Sequence, residues 1–181
     1  DIIPPQFDLE QICKSLRIKE GSEHVGKLKH LVAQAQAIAK PKGFYKTAFI
    51  ESRTEDQVVI DGIVFTSRVL RVNLDRAHRV FPYVTTCGLE LEEWSRLFDD
   101  MLQKYWADVL KETALRVAIK YLHDHLIEHF RLGRMSRMNP GSLTDWPLPE
   151  QRPLFDLLGQ GPGLIGIHLG DSFLMTPITS V

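Results

Sequence analysis

The sequence has few of the features that mark secreted, membrane-spanning or nucleic-acid-binding proteins. It contains only two cysteines, Cys13 and Cys87, whose spacing fits no metal site, so we expect reduced thiols and a cytoplasmic protein. No apolar run approaches the roughly 18 residues that a membrane span needs. The formal net charge of −1 offers no general attraction to nucleic acid or to an anionic membrane, so we expect neither as a partner.

The length and composition predict one globular domain. The 181 residues are 44% hydrophobic and 25% charged, which is ordinary for a protein with one core. We place a single domain over residues 1–181, with a helical N-terminal part at about 7–40 and a core at 44–181. The first residue is not Met and no signal-peptide pattern follows it, which predicts a processed or trimmed product.

Helical spacing of apolar residues recurs along the chain. Asp8, Ser22 and Ser67 are suited to cap three of the helices, because their side-chain oxygens accept hydrogen bonds from the first turn. The predicted helices cover 7–16, 24–40, 68–74, 90–103, 108–130 and 150–158.

Strand patterns lie between these helices. The clearest is a hairpin around Asp61-Gly62, a dipeptide that favours a tight turn between two strands. The predicted strands cover 45–51, 58–60, 63–65, 80–86, 164–167 and 172–175. Because these strands form hairpins and isolated runs instead of repeated β-α-β units, we predict an α+β fold with a twisted, mainly antiparallel sheet and flanking helices.

One loop, residues 137–147, carries more specific contact groups than a connection needs. Pro140 and Gly141 set a tight turn, because proline fixes φ and glycine permits positive φ. Around the turn lie a cation, an amide, a hydroxyl, a carboxylate and an indole, supplied by Arg137, Asn139, Ser142, Asp145 and Trp146. We predict a binding loop. The alternative is an ordinary connection whose Trp fills the core.

The C-terminal part carries the motifs of a known family. They are Arg137-x-x-x-Gly141, Asp145-Trp146-Pro147, Glu150-Gln151, Leu169-x-x-Ser172-Phe173-x-Met175-x-Pro177, and, earlier, Tyr121-Leu122-His123-Asp124 and Thr85-Thr86-Cys87-Gly88. With these residues the chain resembles the activation domain of vitamin B12-dependent methionine synthase over most of 80–181, and is most similar to its stand-alone forms. The family pattern continues past Val181, so we expect the last strand to be incomplete.

The resemblance implies a role in reactivating cobalamin. Such a domain binds S-adenosylmethionine and presents it to a cobalamin carried by a methionine synthase or another corrinoid protein. A flavodoxin-type donor supplies one electron to oxidised cobalamin, and S-adenosylmethionine then methylates the reduced cobalt. The domain's own contribution would be proximity and orientation, while cobalt performs the chemistry.

The resemblance also implies ligand contacts. Arg137 would pair with the methionyl carboxylate of the ligand, a role that suits its planar guanidinium. Gly141 would let the backbone approach the ligand closely, and the turn from Asn139 through Pro140 to Ser142 would contact adenine or ribose.

The chain departs from the family pattern at two positions. Ser142 stands where the family has a Tyr, and we expect Trp146 to replace that aromatic contact; Asp145 is a further candidate binding residue. The family's acidic ligand contact falls on Arg116 in this chain, so either the register of the match slips there or another acid serves, with Asp124 and Glu112 as the candidates.

Two other hypotheses stay open. The protein could be a docking module for a corrinoid protein that no longer binds S-adenosylmethionine. It could also be a zinc hydrolase, because His125-Leu126-Ile127-Glu128-His129 fits the H-x-x-E-H signature, in which both histidines share one helix face and the Glu acts as base.

Overall fold

The computed structural model describes residues 3–19, 21–142 and 144–181. The helices in these ranges are α1 Leu9–Ser15, α2 Glu23–Ile38, α3 Arg68–Asn73, α4 Leu89–Ser95, α5 Met101–Phe130, α6 Gln151–Leu158 and α7 Gly161–Leu164. The strands are β1 Lys42–Tyr45, β2 Ala48–Arg53, β3 Gln57–Ile60, β4 Ile63–Thr66, β5 Arg79–Val80, β6 Tyr83–Thr86, β7 His168–Leu169 and β8 Met175–Thr176.

The fold is α+β, as predicted, and every described strand pair is antiparallel. The strands form three small sheets instead of one: β4-β3-β2-β5, β1-β6 and β7-β8. The hairpin at Asp61-Gly62 is confirmed, with Ile60 opposite Ile63.

Two predicted strands are each divided by a change of sheet. The run 80–86 becomes β5, which pairs with β2, and β6, which pairs with β1. Pro82 lies at this break, where its missing amide hydrogen costs no strand pairing. The run 45–51 breaks at the same level, and the Lys46 amide donates to the Pro82 carbonyl at 2.9 Å. One hydrogen bond therefore joins the two places where the chain changes sheets.

The predicted starts of α1, α2 and α3 are confirmed by their N-terminal caps. The side chains of Asp8, Ser22 and Ser67 each accept a backbone hydrogen bond from the first turn of the helix that follows. The predicted helix 90–103 is wrong in extent, because α4 ends at Ser95 and Asp100 caps a new helix by accepting from the Gln103 amide at 3.0 Å. As a result, α5 is 30 residues long.

The predicted strand at 164–167 is also wrong. A short helix, α7, occupies its start, because Pro162 suits the first positions of a helix, and the β7-β8 hairpin begins only at His168.

Three groups of buried apolar side chains hold the structure together. One joins α1, α2 and α4 to the first half of α5. A second lies between β2–β4, α3 and the segment 146–157, and a smaller third lies between β6, α6 and the residues before β7. No helix in the described part of the chain combines the length and the apolar character that crossing a membrane requires.

Candidate ligand cavity

A cavity of about 430 Å³ opens beside the predicted binding loop. Its walls come from the second half of α5, the β5–β6 connection, α6 and the segment 132–140. The volume lies in the range of small-molecule sites, which run from about 300 to 1,000 Å³. The predicted loop and the long helix thus meet at one concave site.

Three arginines contribute to the cavity wall. Arg137 comes from the loop and Arg134 from the segment just before it, and both are exposed. Arg79 comes from β5, and its guanidinium lies 5.1 Å from the ring centre of Phe81 and 5.0 Å from that of Phe130. Stacking of this kind holds a guanidinium in place while leaving its charge unneutralised. The mouth of the cavity is therefore cationic.

Tyr83 links the sheet to the loop at the cavity wall. Its hydroxyl donates to Asn139 Oδ1 across 3.5 Å. Burial raises the pKa of Tyr83, and the positive charge of Arg137 acts in the opposite direction. Because the pKa of Tyr83 is raised, its phenol stays protonated and remains a hydrogen-bond donor at neutral pH. Tyr83 and Arg137 both line the cavity.

Two residues of the wall hold buried polar atoms without a partner. Trp146 is 5% exposed and Gln151 is 7% exposed. The Trp146 Nε1 donor and the Gln151 Oε1 acceptor make no hydrogen bond with the described residues. Buried polar groups in native proteins are nearly always paired, so an unused donor and an unused acceptor in one cavity wall need an explanation.

The predicted ligand-binding residues divide into two groups. Arg137, Asn139, Pro140 and Trp146 line the cavity. Trp146 also packs in the core with β2–β4. This packing is what the alternative prediction, an ordinary connection whose Trp fills the core, expected.

Gly141 and Ser142 lie beyond this wall. The Gly141 amide donates to the Trp146 carbonyl at 2.7 Å with φ +86°, and a side chain there would come within 3.0 Å of Leu148. The Ser142 amide donates to the Asn139 carbonyl at 3.3 Å. These contacts shape the turn itself. A ligand role for either residue stays a prediction.

Asp145 anchors the loop to a different part of the chain. Its Oδ2 accepts from the Val69 amide at 2.8 Å and from Ser67 Oγ at 2.7 Å. These hydrogen bonds lower the pKa of Asp145, with the Val69 amide as the largest cause. The carboxylate thus supplements the cap of α3, and its predicted contact with a ligand stays untested.

The predicted acid on α5 lies outside the cavity lining. Asp124 pairs with Lys120, whose hydrogen bond is the main cause that lowers the pKa of Asp124. Arg116 is exposed and lies 3.7 Å from Glu112. No Asp or Glu appears among the described residues that line the cavity. Asp124 Oδ1 also lies 3.7 Å from Nδ1 of His123, which does line the cavity, so a ligand contact of Asp124 stays a prediction.

Sequence patterns missed several lining residues. Tyr83 lies within the predicted strand 80–86 and Arg79 directly before it, and the direction of both side chains depends on how the sheets divide. Gln151 was noted only as part of the Glu150-Gln151 motif, and nothing in the sequence indicated that it would line the cavity. Arg134 lies three residues before Arg137, and this spacing of two cations was the one feature of the sequence that could have indicated a role for Arg134 at the site.

The H-x-x-E-H segment forms an aromatic contact instead of a metal cage. The rings of His125 and His129 stack at 5.4 Å, and His125 Nε2 lies 3.3 Å from the Tyr45 hydroxyl. Within residues 3–19, 21–142 and 144–181 there is no group of three His, Cys, Asp or Glu side chains that could hold a metal ion. No third ligand thus supports the zinc hypothesis.

Comparisons with known proteins place the fold. No protein-family model matches the sequence, and no curated protein matches it significantly. Twelve chains of solved structures match the fold. One is the crystal structure of the MetH reactivation domain bound to AdoHcy, with a TM-score of 0.66 and 17% sequence identity over 91% of this chain. The match spans 66% of that structure's chain, just under two thirds. The chain therefore shares the fold of this reactivation domain.

Proposed function

We propose that the cavity binds S-adenosylmethionine and that the protein presents this methyl donor to a cobalamin-dependent methionine synthase or a related methyltransferase. The observation that carries the proposal is the position of Arg137 on the wall of a ligand-sized cavity, in a fold shared with a domain solved with AdoHcy.

The cationic mouth would hold the methionyl carboxylate. Arg137 forms no ion pair with a described residue, and Arg134 from the same segment also lines the cavity. A guanidinium binds a carboxylate through two parallel hydrogen bonds, so one arginine can orient the amino-acid end of the ligand.

The buried wall would hold the adenine end. Adenine offers ring nitrogens that accept hydrogen bonds and an exocyclic amine that donates one. The Trp146 Nε1 donor and the Gln151 Oε1 acceptor are the complementary pair. Both atoms are closed off from solvent, so adenine would reach them only after the two side chains turn towards the cavity.

The partner would supply the reactive metal. Cobalamin bound to that partner would supply the methyl acceptor, and a flavodoxin-type donor would supply the electron that keeps this acceptor reduced. This chain would bind the S-adenosyl group, fix its orientation and exclude water from the apolar part of the cavity. Such positioning accelerates a transfer by removing the cost of bringing two reactants together.

Calorimetric titration with S-adenosylmethionine and S-adenosylhomocysteine tests the proposal. We expect one-to-one binding, and Arg137→Ala should weaken it by roughly 1–3 kcal/mol through loss of charge-assisted hydrogen bonds at an exposed position. Arg116→Ala is the matched control, because it removes an exposed cation of α5 that lies outside the cavity. Equal losses in both variants would contradict a specific role for Arg137.

A second candidate is a corrinoid-docking module that does not use the methyl donor. It is favoured by exposed apolar side chains near the start of α5, where Leu97 and Met101 are 77% and 82% exposed and Tyr105 lies one turn further on. Sedimentation with a purified, cobalamin-loaded methionine synthase distinguishes the two. Binding to that enzyme without any affinity for either S-adenosyl ligand would favour the docking module.

A further inference from the structure

Positive charge is concentrated around the mouth of the cavity. Two segments, 68–79 and 131–137, hold seven arginines and one acid, Asp75, whereas the whole chain has 22 basic and 23 acidic residues. Both segments contribute to the cavity lining. The stacking of Arg79 on Phe130 brings them together, because Phe130 directly precedes the second segment. These two segments therefore form one arginine rim.

Most arginines of the rim have no acid beside them. Arg71 pairs with Asp75 at 3.2 Å. Five others form no ion pair with a described residue, and all five are exposed: Arg76, Arg79, Arg131, Arg134 and Arg137. Their guanidinium groups are available to an anionic ligand.

Negative charge near the cavity comes from a different element. Asp124 on α5 lies 3.7 Å from Nδ1 of His123, which lines the cavity, and also pairs with Lys120. Val181 belongs to the lining as well, and its carbonyl oxygen accepts from the Thr85 amide at 2.7 Å. A carboxylate that already has a cation beside it leaves the positive charge of the rim in excess.

This positive charge is more than the proposed ligand needs. The amino-acid end of an S-adenosyl ligand carries one carboxylate next to its own ammonium, and these two charges cancel. One guanidinium is enough to bind that carboxylate. A phosphate ester has a charge of about −1.5 to −2 near neutral pH and three strong acceptor oxygens, so several guanidinium groups can bind it at once. The rim therefore matches a phosphate in charge and in hydrogen-bond donors.

We infer that the arginine rim binds the phosphate group of an adenine nucleotide whose adenosine part occupies the cavity. The inference rests on the proposed function, because it takes the cavity to hold an adenosyl group. Arg79 and Arg134 are the main phosphate contacts, since both line the cavity and Arg137 is assigned to the carboxylate of the S-adenosyl ligand. Stacking on Phe81 and Phe130 also holds the Arg79 guanidinium in place before a ligand arrives. Adenine nucleotides would then compete with S-adenosyl ligands for the cavity.

Calorimetric titration with adenosine monophosphate and with adenosine tests the inference, because these two ligands differ only in the phosphate. At about pH 8 the phosphate is doubly charged and an unperturbed histidine is neutral. We expect the nucleotide to bind at least about tenfold more tightly than adenosine, through charge-assisted hydrogen bonds. It should also displace S-adenosylhomocysteine competitively. Raising the salt concentration should narrow the difference, because ions screen exposed charges.

Two variants locate the phosphate contact. Arg79→Gln and Arg134→Gln each remove one guanidinium, and each should weaken nucleotide binding several-fold. Adenosine affinity should stay at the wild-type value in both, which checks that the cavity keeps its shape. Arg116→Gln is the matched control, because it removes an exposed guanidinium of α5 that lies outside the cavity lining. Its affinities for both ligands should be unchanged.

The outcomes separate the inference from the proposed function. If the S-adenosyl ligands bind but the nucleotide binds no better than adenosine, the inference fails and the proposed function stands. Nucleotide binding that depends on Arg79 and Arg134, without any binding of the S-adenosyl ligands, would support the phosphate contact and overturn the proposed function. A nucleotide that does not displace S-adenosylhomocysteine, or inorganic phosphate that binds as tightly as the nucleotide, would overturn the inference.

Discussion

The two halves of α5 lie beside buried polar groups of opposite kinds. In the first half, Lys111 is buried, and its Nζ lies 3.3 Å from Glu92 Oε2 and 2.9 Å from Asp108 Oδ1. The second half lines the cavity, where Trp146 Nε1 and Gln151 Oε1 have no partner. A paired buried charge serves the fold, whereas unpaired polar atoms beside a cavity are suited to a ligand. The helix thus joins a half held by a buried ion pair to a half that lines the cavity.

Breaking the buried ion pair should have the largest effect on stability. Lys111→Ala leaves Glu92 buried with only the exposed Arg96 as a cation, so we expect a loss of about 3 kcal/mol in the free energy of unfolding. Arg96→Ala removes the exposed cation from the same carboxylate and should cost at most about 1 kcal/mol.

Urea unfolding measures both variants. Replacing both buried partners, as Glu92→Leu with Lys111→Met, should recover most of the loss because no charge stays buried alone. A double variant as unstable as Lys111→Ala would contradict this account of the first half of α5.

Alkaline pH should weaken the same pair. Burial alone would lower the pKa of Lys111, but the hydrogen bond that Lys111 donates to Asp108 and the charge of Glu92 outweigh burial and raise the pKa above the ordinary 10.5. The contribution of the pair is therefore fully present below pH 10.5 and is lost as pH rises through the higher folded-state value. Urea midpoints from about pH 9 to about pH 11.5 should fall more steeply for the wild type than for Lys111→Ala.

Releasing the loop from α3 should disturb the cavity more than the core. Asp145→Ala removes the acceptor for the Val69 amide and the Ser67 hydroxyl, while Asp145→Asn keeps an oxygen in place. We expect faster hydrogen exchange in 137–146 and weaker S-adenosylhomocysteine binding in Asp145→Ala, and smaller changes in Asp145→Asn.

Acid should act in the same direction as Asp145→Ala. The pKa of Asp145 is lowered, so the contribution of its charged form is present above pH 3.8 and is lost as pH falls through the lower folded-state value. Exchange in 137–146 that is insensitive to both acid and Asp145→Ala would contradict the anchor.

The last variant concerns the unpaired indole. Trp146→Phe removes a donor that has no partner in the described structure, but it also removes part of a buried core side chain, so the free energy of unfolding should fall by about 1–2 kcal/mol. S-adenosylhomocysteine affinity should fall by roughly two- to tenfold, the equivalent of one hydrogen bond. Trp106→Phe makes the same replacement in the first half of α5 and should leave the affinity unchanged.

Local signals in the sequence located most helices and the clearest hairpin. Caps such as Asp8 and Ser22 act within three residues, and the turn at Asp61-Gly62 needs only its own backbone. Arg137 and Asn139 were also within reach of the sequence, because a loop with a tight turn and several contact groups is recognisable by itself.

The remaining features depended on distant contacts. The break at Pro82 exists because β5 and β6 pair with different strands, and no residue near it indicates which partner each half will find.

The sequence by itself determined the α+β class, the starts of α1, α2 and α3 and the loop that borders the cavity, because each depends on residues within a turn or two of one another. Only the tertiary structure decided which side chains of that loop line the cavity and which contact other parts of the fold. The contact of Asp145 with Ser67 spans 78 positions of the chain, and it commits to α3 a carboxylate that sequence alone would assign to a ligand. Contacts of such separation are set by the packing of the whole fold, so the charge of the cavity wall becomes apparent only when the fold is complete.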